Sequence, residues 1–366
     1  MMRTITTTLT WTVVLSAVAL QSQERKLLSG LPLRQALAQQ VEAVSWKGKT
    51  LRGAFDRITD SQRIAVMLDR RVDPDQEIEF SASKVPLDLM INQFVGKYGA
   101  ATCLVDSVLY VGPSDTCQLL PTLVELRRDE VRALPIAKQR TLLRTSPWKW
   151  KRLASPRDLI QQLESEYGLQ INGKENMPHD LWSASDLPPL DFASKLSLLL
   201  AGFHVTFAMA SDGESVQITA MPKTASLSRK YNTGTRTTAL SKTLSERFTG
   251  ATIRPQGNSL VVEAPWEVHD AIDRLLKGET VRAAPADEGK KHYTLTVENK
   301  AVGGVIRGVG QHLGKKVVFD VKVERRLIKE VSLNVKEVSL NELLTAVLSP
   351  ANLKYEIDGD TIRVFD

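Results

Sequence analysis

The stretch KEVSLNELLTAVL at 336–348 is matched in hydrophobic pattern, though in few letters, by SKVPLDLMINQFV at 83–95. Setting Val338 on Val85 places Leu340 on Leu87, Leu344 on Ile91, Val347 on Phe94 and Leu348 on Val95. From Leu340 onward those spacings trace one face of a helix, and the valine before it ends a strand. The register continues without a gap: Tyr355 meets Thr102, Ile357 meets Leu104, Ile362 meets Leu109 and Val364 meets Val111. Both copies close as two short alternating segments, joined by Asp358-Gly359 or Asp106-Ser107, which is hairpin turn chemistry. A third copy puts Leu190, Phe192, Leu196, Leu199 and Leu200 in the same slots, then Val205 and Phe207 at the start of a longer hairpin. Helical and strand periods that agree over this length are hard to reach by accident.

Each copy also has a helix and a strand upstream. TLRGAFDRITDSQRIAVMLD (50–69) aligns with AVGGVIRGVGQHLGKKVVFD (301–320), setting Leu51, Phe55, Ile58, Val66 and Leu68 on Val302, Ile306, Val309, Val317 and Phe319. The middle copy uses SPRDLIQQLESEYGLQI (155–171), with Ser155 as N-cap and Pro156 in the first turn. The fold class predicted is α+β: tandem small β-α-β-β-α-β-β modules, each a mixed sheet with two helices on one face. Modules are expected at 41–113, 145–222 and 292–366, with a connector at 114–144. Residues 229–280 read as a β-α-β-β-α module, with a turn at Gly257-Asn258 and no closing hairpin. After it, VRAAPADEGKK (281–291) has the Ala, Pro and charge content of a linker.

A chain of 366 residues is too long for one ordinary core, which agrees with several small ones. Its 42% hydrophobic and 25% charged residues exclude wholesale disorder. The start, MMRTITTTLTWTVVLSAVALQ, has Arg3 as its only charge, then an apolar run ending in Ala17-Val18-Ala19, a small-x-small cleavage signal. The run from Leu9 to Leu20 is short for a bilayer, so 1–20 is predicted to be a signal peptide. The mature chain is then exported and has no transmembrane span. Cys103 and Cys117 suit an oxidising compartment, where a disulfide between them would contribute roughly 3 kcal/mol. Two buried free thiols are the alternative.

The formal charge of +6 is scattered except in KQRTLLRTSPWKWKR (138–152). There Lys138, Arg140, Arg144, Lys149, Lys151 and Arg152 occur without an intervening acid. The stretch is either a solvated connector or a patch for an anionic polymer such as nucleic acid or wall glycan. Trp148 and Trp150, alternating with lysines, read as the start of an edge strand.

Catalytic signatures fail. GVIRGVGQHLGKK (304–316) approaches a phosphate loop, but Val309 and Lys316 stand where glycine and Ser or Thr are required. The segment also aligns with a helix, so its glycines read as packing positions. His179, His204, His269, His292 and His312 show no paired metal-ligand spacing, and no GxSxG elbow occurs. No catalytic residue, cofactor or metal is predicted; a hydrolase assembled from distant positions is the residual alternative. NMPHDLW (176–182) interrupts the middle copy, and Trp182 is expected to pack over the core of its own module, a ligand-gripping loop being the alternative.

VSLNELLTAVLSPANLKYEIDGDTIRVF (338–365) resembles the short N-terminal (STN-like) domain of secretins and TonB-dependent receptors. The copies at 45–113 and 148–221 resemble it less closely, and 231–278 is similar to the secretin N-domain that comes next in that family. The resemblance implies periplasmic modules that work by protein contact ahead of an outer-membrane pore or receptor barrel. No run of alternating amphipathic strands follows the last module as far as Asp366, so pore formation is not expected.

The expected function is that of an exported, non-enzymatic adaptor or sensor in the periplasm or at the outer-membrane periphery. Its partner is a protein of the envelope, such as a secretin or TonB-system component, and not nucleic acid. KKVVFDV (315–321) and WKWKRL (148–153) are candidate edges for a partner strand, unless neighbouring modules cover them. Binding of wall glycan through 138–152 is the alternative.

Overall fold

The computed structural model describes residues 26–279, 281, 293–320, 323–338, 340–358 and 361–365. They fall into two compact units that divide between Gly278 and Glu279. The leader at 1–20 lies outside the described residues, as do the linker beyond Val281 and Gly359 of the last turn.

The first module contains α1 (Gly30–Ala38), β1 (Gln40–Thr50), α2 (Leu51–Gln62), β2 (Ala65–Leu68), β3 (Glu77–Pro86), α3 (Leu87–Lys97), β4 (Ala101–Val105) and β5 (Val108–Gly112). Two helices follow, α4 (Ser114–Arg132) and α5 (Ile136–Leu142). The second module runs β6 (Ser146–Trp150), α6 (Pro156–Tyr167), β7 (Gln170–Asn172), β8 (Ser185–Leu190), α7 (Phe192–Ala201), β9 (Val205–Met209) and β10 (Ser215–Ala220). A third element group, β11 (Leu227–Asn232), α8 (Thr237–Arg247), β12 (Thr252–Gln256), β13 (Ser259–Ala264) and α9 (Trp266–Leu276), completes the first unit. The second unit repeats the first module's order with β14 (Tyr293–Ala301), α10 (Val302–Leu313), β15 (Lys316–Phe319), a short α11 (Glu324–Leu327), β16 (Glu330–Val338), α12 (Leu340–Leu348), β17 (Lys354–Asp358) and β18 (Thr361–Phe365).

The tandem modules are as the repeat predicts, and the register is faithful: Leu87 opens α3 as Leu340 opens α12. The single sheet expected in each module is not what forms. Its five strands divide into an antiparallel ribbon (β1–β3, β6–β8, β14–β16) and a three-stranded mixed sheet (β2-β5-β4, β7-β10-β9, β15-β18-β17). The first strand of each mixed sheet runs parallel to the last, and the closing hairpin is antiparallel. The reason is visible in the first core. The Phe94 ring of α3 lies 4.9 Å from Trp46 and 5.4 Å from Phe80 of the ribbon, and 5.6 Å from Phe55 of α2. Leu109 and Val111 of the mixed sheet join the same cluster. Helices that are apolar on two sides need a sheet on each, and one sheet would leave the other side wet.

Local chemistry sets the helix ends. Thr50 Oγ1 accepts from Gly53 N–H at 3.1 Å to start α2, and Ser155 Oγ accepts from Asp158 N–H at 3.1 Å to start α6, with Pro156 in its first turn. Gly168, at φ 66, ends α6 in the left-handed conformation that glycine adopts without steric cost.

The segment expected as a connector is helical and central. Helix α4 packs on β4, α7, β9 and α9. Its partner strand β5, VLYVG, is buried along its whole length: Leu109 and Val111 face the first module's core, while Val108 and Tyr110 join a larger cluster with Leu120 and Val124 of α4 and Leu196, Leu198, Leu199, Leu200 and Ala201 of α7. Helix α7 is buried at all 10 positions. The first two modules therefore share a core. In the second unit β18 alternates instead, with Ile362 and Val364 buried and Arg363 exposed.

Candidate binding surface

What the surface can do depends on what holds its elements in place. Arg128 of α4 donates to Asp191 at 2.7 Å, Glu125 at 2.5 Å, Asp106 at 2.6 Å and the Ser194 hydroxyl at 2.7 Å. Asp106 comes from the β4–β5 turn of the first module, and Asp191 caps α7 of the second by accepting from Ser194 N–H at 2.9 Å. Burial works against the Arg128 charge, but Asp106 and Asp191 outweigh it and hold the guanidinium firmly protonated. Arg71 makes a similar tie, from Asp69 to the Thr116 hydroxyl at 3.0 Å and the Ala201 carbonyl at 2.9 Å. The β11–β13 sheet is held by Arg229 on Asp129 at 2.7 Å, and the start of α9 by Trp266 N–H on Thr122 Oγ1 at 2.9 Å. Three modules thus meet along α4.

On this frame the second module presents its ribbon. Strand β6 pairs with β8 alone, antiparallel, with Trp148 opposite Leu187 and Trp150 opposite Ser185. Trp148 turns inward and is buried, while Trp150 is half-buried. An aromatic ladder follows. Trp150 lies 4.8 Å from Trp148 and 5.8 Å from Trp182, and Trp182 stacks on Phe203 at 6.3 Å and 14°. The Arg70 guanidinium lies over the Phe203 ring at 4.9 Å and pairs with Asp180 at 2.7 Å. Burial raises the Asp180 carboxyl, but Arg70 and the Trp182 indole N–H more than offset this and leave it below the ordinary range. Trp182 therefore packs against the core shared by the first two modules, and not over its own module's core alone as the sequence predicts.

The basic stretch does not converge. Lys138 lies on α5 and pairs with Glu214 at 2.9 Å, and Lys149 on β6 pairs with Asp186 at 2.7 Å. Arg140, Arg144, Lys151 and Arg152 are exposed along α5, its following turn and the end of β6. Cys103 on β4 and Cys117 on α4 are brought together as neighbouring free thiols. Burial, and next the Cys117 thiol, push the Cys103 pKa well up. Among the described residues no group of three His, Cys, Asp or Glu side chains is placed to hold a metal. The glycine-rich run is helix α10, and a methyl on Gly310 would come within 2.3 Å of Val317 Cγ2, so the glycine permits close approach to β15. The other candidate edge, β15, borders its sheet.

Sequence reading missed the Arg128 cluster, because its acids lie far apart in the chain. The signals that were there are the unbroken apolar VLYVG and the nearly all-apolar FASKLSLLLA, both marks of burial on two faces.

No family model matches this chain, and no curated protein matches it. Among solved structures, one titled "Structure of XcpQN012" is similar at 11% identity over 57% of this chain and 99% of the other, with a TM-score of 0.15. At that score the likeness carries no argument. No helix among the described residues is long and apolar enough to cross a membrane.

Proposed function

We propose that this chain is an exported, non-enzymatic protein of the cell envelope that works by binding another protein, in the manner of the periplasmic modules of secretins and TonB-dependent receptors. The observation that carries this reading is a two-helix module built three times, with border strands unpaired on one side in the second and third. β15 borders its sheet, with Val318 38% exposed, and β6 pairs on one side only. An extended segment of a partner adds to such an edge through main-chain hydrogen bonds. The partner belongs to the envelope, with a secretin or TonB-system component as the first candidates, and the site of action is the periplasm or the outer-membrane periphery.

Cell fractionation and crosslinked capture from envelope extracts test the reading. The expected result is export of the chain and capture of a defined protein, with capture reduced severalfold by Val318→Lys at unchanged melting temperature. A chain retained in the cytoplasm, or capture indifferent to the edge substitution, sinks it. The second reading, an anionic wall polymer on the basic stretch, is favoured only by the exposure of Arg140, Arg144, Lys151 and Arg152. It requires binding to a soluble polyanion that weakens steeply with salt.

A further inference from the structure

Of the six large apolar side chains exposed in the described residues, two stand at one place. Leu153 is 60% exposed and Leu181 51%, and they flank the antiparallel bridge between Ala154 and Trp182. Leu153 adopts φ 68, a conformation that costs a bulky residue and that no packing of its exposed side chain explains. Its N–H donates to the Trp182 carbonyl at 2.7 Å, which holds the turn. The bridge residue Trp182 is half-buried, with its ring on Phe203 and 5.8 Å from the half-buried Trp150, and its indole N–H on Asp180 at 3.0 Å. Around them are cations: Lys151 and Arg152 precede Leu153 directly and are exposed, and Arg52 donates to the Ser183 hydroxyl at 2.9 Å. The local acids Asp180, Asp186 and Asp75 are each engaged, by Arg70, by Lys149 and, at 3.7 Å, by Arg52.

We propose that Leu153 and Leu181 form an insertion tip for an anionic phospholipid bilayer. The leucines enter the headgroup–acyl boundary, Trp150 and Trp182 lie at interfacial depth, and Lys151 and Arg152 meet lipid phosphates. Two leucines that project from the surface give a folded partner little to enclose, whereas a fluid bilayer needs no complementary shape. Tryptophan with one apolar and one hydrogen-bonding end is the side chain that settles at membrane interfaces. The basic rim supplies the attraction to an anionic surface, which neutral lipid lacks.

The test is flotation of the full chain with vesicles of equal parts phosphatidylglycerol and phosphatidylcholine, beside vesicles of phosphatidylcholine alone. Wild type is expected to float with the anionic vesicles preferentially, and Leu153→Asn with Leu181→Asn to lower that binding about tenfold or more. Asparagine tolerates positive φ, so the double variant is expected to keep the wild-type melting temperature. Any contribution of the apolar run at 9–20 is common to both proteins and persists on neutral vesicles. Hydrogen exchange on the wild type, which needs no variant, is expected to slow at 151–154 and 180–183 when anionic vesicles are added. Equal binding by the double variant, no protection of those amides, or displacement of the chain by soluble polyglutamate with the leucines irrelevant would each overturn the proposal. The last outcome would assign the rim to an acidic protein segment.

Discussion

His269 shows how a residue without a catalytic role can still set a pH response. Its ring is buried between β11 and α9, with Nε2 3.0 Å from the Leu227 carbonyl and Nδ1 2.8 Å from the Tyr231 hydroxyl. A carbonyl only accepts, so Nε2 carries the proton and Nδ1 accepts from Tyr231. Burial, assisted by Arg229 and opposed by the bond to Leu227, lowers the imidazole pKa. The unfolded chain binds a proton near the usual value of about 6.5 that the folded module refuses. Stability is therefore level above that pH and falls as pH drops through it toward the folded value. Urea midpoints of the wild type are expected to decline between neutral pH and about pH 5, and His269→Gln is expected to flatten that decline. A wild-type profile that stays flat there would count against a neutral, buried ring. Glu164, Glu166 and Asp180, all held below their usual range, lose their contribution only at lower pH.

Among the elements, α10 makes the clearest case that position outweighs propensity. Two of its glycines differ only in what surrounds them. A methyl on Gly308 meets nothing within 4 Å, whereas one on Gly310 meets Val317 Cγ2 at 2.3 Å and the Lys315 carbonyl at 3.0 Å. Gly308→Ala is expected to stabilise the second unit by about 0.5–1 kcal/mol through helix propensity alone. Gly310→Ala gains the same term but forces β15 away, for a net loss of about 1–3 kcal/mol. Thermal melts of the two variants should move in opposite directions, and movement in the same direction would refute the close packing of α10 on β15. Helix spacing and caps were readable along the chain in this element. Which glycine touches the strand was not, because the contact depends on how the chain returns after Gly314.

At the scale of the first unit, the repeat is misleading in an instructive way. Equivalent positions suggest beads on a string, yet β5 faces two cores and α7 has no exposed face. The first two modules should therefore unfold together. Trp46 lies in the first module's own core and Trp148 in the shared one, so each reports a different part of the same transition. Arg128→Ala strips the neutralising charge from Asp191, whose side chain is 6% exposed, and leaves Glu125, 7% exposed, only the longer contacts to Arg132 at 3.6 Å and Arg229 at 3.8 Å. A loss of about 3 kcal/mol is expected from leaving the buried Asp191 carboxylate without its cation. Denaturation followed separately at the two tryptophans, in variants that keep one or the other, should give coincident curves that shift together with Arg128→Ala. Separate transitions, or a shift confined to one probe, would mean that the modules stand independently.

Module identity and order were determined by sequence alone: Val85, Leu87, Ile91 and Phe94 match Val338, Leu340, Leu344 and Val347 because helix and strand periods are local properties of the backbone. Caps such as Ser155, and the turn at Asp106-Ser107, were equally legible for the same reason. Tertiary structure decided the rest: two sheets per module, the conversion of 114–132 into a helix shared by three modules, and the meeting of Asp106, Glu125 and Asp191 on one guanidinium. It also set the exposed Leu153 and Leu181 at the two ends of one antiparallel bridge. Those outcomes depend on which apolar face finds which, and on charges far apart in the chain, quantities that no short-range period encodes.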